Sequence, residues 1–189
     1  MKYFTPELYI QGQSHDDEVL DRTEEEWERR IKRYQRHYKG IEPRLPEALR
    51  KFHDEQCLHD ADWCGIAPWP VPMSASSAQG VAILARQDNT LVPQFINTLP
   101  ILLYDVTAAP VIERPVEEFF QDVRPVWLYD EIDLVGSGVC SHSILLSNGL
   151  VVTMQFREFS YYIAPLLDPG AKKLAKARRA ATGHGRHPA

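Results

Sequence analysis

Val139-Cys140-Ser141-His142-Ser143-Ile144-Leu145-Leu146-Ser147-Asn148-Gly149-Leu150-Val151-Val152-Thr153-Met154-Gln155-Phe156-Arg157-Glu158-Phe159 is the stretch on which the fold turns. Two runs rich in strand-forming side chains flank Asn148-Gly149, the pair most favoured in a two-residue hairpin turn. Closing that turn at Ser147 and Leu150 sets 145 against 152, 143 against 154, and 142 against 155. Upstream, Val135-Gly136-Ser137-Gly138 reads as a four-residue turn, which aligns 134 with 139, 133 with 140 and 131 with 142. Two cross-strand rows then share one sheet face, Glu131–His142–Gln155 and Asp133–Cys140–Arg157. Leu145, Val152, Met154 and Phe156 are expected on the opposite, core-facing side, because strand side chains alternate.

Working back from the hairpin, the pattern predicts strands at Val81–Arg86, Leu99–Val106, Val111–Arg114 and Val126–Val135, with a short helix at Val116–Asp122. Residues 66–80 hold Pro68, Pro70 and Pro72 followed by small polar residues, and read as a connector. Before it the periodicity is helical. Thr5 precedes Pro6 as a cap precedes a first-turn proline. Thr23 and Glu26 have capping-box spacing, and Leu20, Trp27, Ile31, Tyr34 and Tyr38 recur at helical intervals. Asp16 and Asp17 would allow a start as early as Ser14, Lys39-Gly40 suits a stop, and Glu25–Arg29 and Glu28–Lys32 are helix-surface pairs. Pro46 opens a further helix expected to run to about Cys64, with Gly65 ending it. The fold class expected is α+β: N-terminal helices packed on one face of a mostly antiparallel C-terminal β-meander. The domain is expected to span 1–167, helical over 1–65 and β-rich over 81–167, with a basic flexible tail at 168–189.

At 189 residues, 44% hydrophobic and 25% charged, the chain is long enough for a core and ordinary in composition. The net charge of -5 divides unevenly, because Lys172, Lys173, Lys176, Arg178, Arg179 and Arg186 all lie in the tail. The acidic remainder disfavours nucleic acid as a ligand and points to a partner with a basic surface. No apolar run reaches the roughly 20 residues of a membrane span. The start Met1-Lys2-Tyr3-Phe4-Thr5-Pro6 lacks a signal-peptide core, and Cys57, Cys64 and Cys140 are too few for a disulfide framework. Both lead to an expected cytoplasmic location.

Ligand-type residues are densest at Phe52-His53-Asp54-Glu55-Gln56-Cys57-Leu58-His59-Asp60-Ala61-Asp62-Trp63-Cys64. On a continuous helix, Leu45, Leu49, Phe52, Gln56, His59 and Trp63 form one stripe, and His53, Cys57, Asp60 and Cys64 share the adjacent face. These residue types suit zinc, but one helix presents only about two ligands to one ion. Structural use is expected instead, with His59 and Asp60 turned into the helix–sheet junction to bond backbone groups, and Cys57 and Cys64 buried as small apolar groups. The Glu131–His142 pair is the other candidate, since a carboxylate beside an imidazole is an acid–base arrangement. Candidate catalytic residues are therefore His59, Asp60, His142 and Glu131; the metal alternative uses His53, His59 and Asp60.

Leu58-His59-Asp60-Ala61-Asp62 resembles the Leu-His-Asp-Ile-Gly-Lys motif of the HD-domain metal phosphohydrolases, in which the doublet helps to hold a metal; Asp62 and Trp63 stand in place of Gly-Lys. More widely, Met1-Lys2-Tyr3-Phe4-Thr5-Pro6-Glu7-Leu8-Tyr9, the Trp/Tyr helix, Leu58-His59-Asp60-Ala61, and Tyr129-Asp130-Glu131 with Ile144-Leu145-Leu146-Ser147-Asn148-Gly149 and Phe156 resemble a family of small bacterial proteins catalogued as a domain of unknown function. That resemblance covers roughly residues 1–160 and implies a bacterial cytoplasmic protein and no activity. The leading expectation is a non-enzymatic binding domain without a cofactor. Immunity-type proteins that neutralise a basic partner are one instance. The alternative is a metal-dependent hydrolase using the His-Asp pairs of residues 53–60.

Overall fold

The computed structural model describes residues 1–69, 79–87, 97–114 and 124–166. Helix α1 (Pro6–Gln11) is capped by the Thr5 hydroxyl, which accepts from the Leu8 N–H at 3.4 Å. Helix α2 (Asp17–Ile41) starts earlier than the Thr23 box. Asp16 is its cap, accepting from the Glu18 and Val19 N–H groups, and the acidic pair Asp17 and Glu18 occupies the first turn. Thr23 therefore lies inside the helix, its hydroxyl donating to the Val19 carbonyl at 2.7 Å. Gly40 is also helical, and the chain leaves α2 through a 3₁₀ turn at Glu42–Arg44. Glu28 pairs with Lys32 as expected, whereas Arg29 turns to Glu26.

Helix α3 (Glu47–Glu55) stops well short of Cys64. The reason is a competing set of backbone partners. The Asp60 N–H donates to the Trp127 carbonyl at 2.8 Å, the Trp127 N–H to the Ala61 carbonyl at 2.8 Å, and the Trp63 N–H to the Pro125 carbonyl at 2.9 Å. Strand β1 (Asp62–Trp69) follows at once, so the expected connector begins as strand, and His53, Cys57, Asp60 and Cys64 share no helix face. Gly65 sits at a bulge in β1 with φ +126°, a conformation that side chains other than glycine's rarely permit.

Six further strands complete an antiparallel sheet: β2 (Gln79–Arg86), β3 (Thr98–Val106), β4 (Val111–Glu113), β5 (Trp127–Gly136), β6 (Val139–Leu146) and β7 (Val151–Pro165). All six were expected within about two residues of their observed limits, except that β7 runs on to Pro165. The order is β1-β2-β3-β7-β6-β5, with β4 also on β7, and an Asp62–Val126 bridge joins the two outer members. The sheet thus curls back on itself. The expected helix at 116–122, the middle of the expected connector and the basic tail lie outside the described residues.

The hairpin carries the decisive correction. Leu146 and Leu150 close a three-residue loop, in which the Gly149 N–H donates to the Leu146 carbonyl at 2.8 Å and Gly149 takes φ +77°. This is a turn with a glycine bulge, and it moves the pairing by one residue: 145 faces 151, 144 faces 152 and 142 faces 154. On the other side Ile132, not Glu131, faces His142, and Leu134, not Asp133, faces Cys140. Neither expected row exists. A one-residue slip sends β6 to the other face, so His142 joins Ile144, Met154 and Phe156 in the main core while Leu145 joins a smaller cluster with Leu128 and Val151. The main cluster also takes in Tyr34, Tyr38, Leu49 and Phe52 from the helical region.

The free edge of β5 is covered from the N-terminal side. The Ile132 N–H donates to Tyr34 Oη at 2.8 Å, and the Glu131 carboxylate accepts the N–H groups of Lys2, Tyr3 and Phe4 at 2.8, 2.6 and 2.7 Å. Asp133 pairs with Lys2 and with His37 Nε2 at 2.9 Å. Such partners hide donors that would otherwise invite another strand. Among the described residues, no helix is long and apolar enough to cross a membrane.

Candidate functional site

The inner face of the curled sheet holds one buried histidine, and everything around it follows from its need for partners. His142 on β6 is 0% exposed. Its Nδ1 meets Tyr104 Oη of β3 at 2.8 Å and its Nε2 meets Asp130 Oδ2 of β5 at 3.0 Å. The Trp127 indole N–H donates to Asp130 Oδ1 at 3.2 Å. With an ionised Asp130, one assignment satisfies every group: Tyr104 O–H donates to Nδ1, and Nε2–H donates to the carboxylate.

Burial works against an ionised Asp130, but the hydrogen bond from His142, helped by that from Trp127, opposes it, and the carboxyl is held below its ordinary range. Burial, reinforced by the Asp130 charge, pushes the Tyr104 phenol well above its ordinary value, so it stays a donor.

Asp130 is where this network reaches solvent. Its side chain is 31% exposed and lines a cleft of about 320 Å³ between the α3 end and β5. Phe52, His53, Gln56, His59 and Tyr129 form much of the rest of the lining. His53 stacks on Tyr38 with ring centroids 4.0 Å apart, and His59 stands edge-on to Tyr129 at 5.1 Å. Gln56 Oε1 is buried there with no hydrogen-bond partner. Burial, with the Asp54 charge next, raises the Tyr38 phenol to about 12.

The doublet that drew attention in the sequence is placed differently from expectation. His59 and Asp60 pair with each other at 3.0 Å, with side chains 42% and 76% exposed. The side chains are not sealed into the helix–sheet junction on backbone partners: the His59 ring lines the open cleft beside Tyr129, and the hydrogen bond to the sheet comes from the Asp60 backbone, to Trp127. Asp60 takes φ +65°, which an aspartate tolerates in a tight turn and which carries the chain from α3 into β1. Cys57 and Cys64 are exposed rather than buried; Cys140 is buried, where desolvation raises its thiol. Glu131 sits on the opposite face from His142 and holds the N-terminal segment. Sequence reasoning brought His142 forward but missed Tyr104, Trp127, Asp130 and Gln56. The usable signal in the sequence is Asp130 itself, next to Glu131.

Among the described residues, no three His, Cys, Asp or Glu side chains are grouped so as to hold a metal ion. Comparison of the chain with protein-family models, curated proteins and solved structures finds no match.

Proposed function

We propose that this chain is a non-enzymatic binding domain, acting in a bacterial cytoplasm on another protein with a basic surface, and that the cleft between α3 and β5 is its contact point. The helical region, laid against one face of the sheet, supplies one wall and β5 the other. The observation that carries the reading is Asp130. It is an ionised carboxylate fixed from behind by His142 and Trp127 and open in front. His142 has no free nitrogen to exchange protons with a substrate, which favours recognition over acid–base chemistry. The acidic balance of the chain favours a basic partner.

A second reading, a metal-dependent hydrolase using His53, His59 and Asp60, draws on the presence of His53 and His59 along the same cleft. Metal analysis after dialysis separates the two. The binding reading expects no stoichiometric zinc, manganese or iron. Stoichiometric metal that disappears in both His53→Ala and His59→Ala, together with metal-dependent phosphoesterase activity, would replace it.

A further inference from the structure

The cleft presents hydrogen-bond acceptors with few donors, and we infer that it takes a guanidinium, the side chain of an arginine on the partner polypeptide. This rests on the binding reading above and names the group that the cleft reads. Asp130 supplies the charge. Each of its oxygens receives one donor from the protein, Trp127 Nε1 or His142 Nε2, whereas a carboxylate offers about four acceptor positions. The remaining capacity belongs to a side chain that is 31% exposed in the cleft wall.

Gln56 supplies a second acceptor. Its Oε1 is buried without a donor, so a turn of the amide toward the cleft would exchange an unpaired acceptor for a bond to a ligand N–H. His59 also lines the cleft, with its Nδ1 turned to Asp60 Oδ2 at 3.0 Å.

Charge and shape favour the same ligand. Among the described residues no lysine or arginine lines the cleft, whereas Asp130 does, and Asp54 and Asp60 lie beside its two histidines. The resulting negative field attracts cations. A volume of about 320 Å³ accommodates a side chain rather than a folded ligand. A guanidinium also spreads five N–H donors in a plane, which suits several separate acceptors better than a point charge does.

The test is a titration of the ¹⁵N-labelled full chain, followed by NMR, with the N-acetyl methylamides of arginine, citrulline, lysine and glutamate. The arginine derivative is expected to move the Trp127 indole and Gln56 side-chain amide signals. Citrulline, its neutral counterpart, should bind about tenfold more weakly or not at all. Asp130→Asn should weaken the arginine derivative by about tenfold. Gln56→Leu, which leaves the His142 network intact, should weaken it by about threefold, so the inference remains testable if the Asp130 variant misfolds. Equal binding of citrulline, or tighter binding of lysine, overturns the guanidinium. Cleft binding of citrulline or glutamate without arginine overturns it while the binding reading stands. If none of the four moves a cleft signal, both fall.

Discussion

Two of the protein's His–Asp pairs could scarcely differ more. His59 and Asp60 are adjacent in sequence, exposed, and held by each other. His142 and Asp130 come from neighbouring strands, and the ring between them is fully buried. The first pair is visible in any reading of the sequence and structurally peripheral. The second exists only once β5 and β6 are in register, and it anchors the carboxylate that lines the cleft. Proximity along the chain makes a pair easy to notice, but desolvation makes it matter. A buried imidazole without partners is costly, so the fold must supply them, and an exposed pair is screened by water.

Substitutions can break this contrast. The largest effect is expected for His142→Ala, which opens a cavity, strands the Tyr104 hydroxyl and removes the donor to Asp130; it should cost about 3–5 kcal/mol in denaturant unfolding. Asp130→Asn keeps the shape and the Trp127 bond but loses the charge-assisted bond to His142, and should cost about 1–3 kcal/mol. Its signature is in the pH dependence. Because the folded-state carboxyl is held below its unfolded value, its contribution is complete above the unfolded range of about 3.9 and is lost as pH falls through the folded value. The variant should therefore lose less stability on acidification than the parent. Asp133, also lowered against its burial by Lys2, Leu134 and His37, will leave a residual acid limb in that variant.

Tyr104→Phe removes one hydrogen bond and should cost about 1–2 kcal/mol, since His142 Nδ1 is left without a donor. The smallest effects fall on the visible pair. His59→Ala should lie within about 0.5 kcal/mol, because exposed pairs contribute little. Asp60→Gly should be equally mild, as glycine accepts φ +65° without strain, whereas Asp60→Val should cost about 1 kcal/mol or more in the same unfolding assay. A reversed ranking, with His59 costing more than His142, would undo the comparison.

The same contrast explains what could be read in advance. The strands were legible because their alternation and turn residues are local signals, and α1 was legible from Thr5-Pro6. The register was not. Ile144-Leu145-Leu146 and Leu150-Val151-Val152 are apolar at every position, and Leu145 and Leu146 are both buried, on opposite faces of the sheet. Alternation cannot choose a register there, and Asn148-Gly149 fits a two-residue turn as well as a three-residue loop. Strand β1 was hidden for another reason. Residues 56–64 continue a helical pattern, and the bonds that override it come from Pro125 and Trp127, more than sixty positions away. The candidate site inherits both gaps, since Asp130 needs the register and the cleft needs the end of α3.

The central claim, that His142 is a sealed structural partner of Asp130 and not an accessible base, is tested most directly by imidazole N–H exchange in the ¹⁵N-labelled protein. The account predicts a His142 Nε2–H signal that persists against solvent exchange and vanishes in Asp130→Asn, with no such signal from His59. A His142 ring that exchanges as fast as His59 would contradict it.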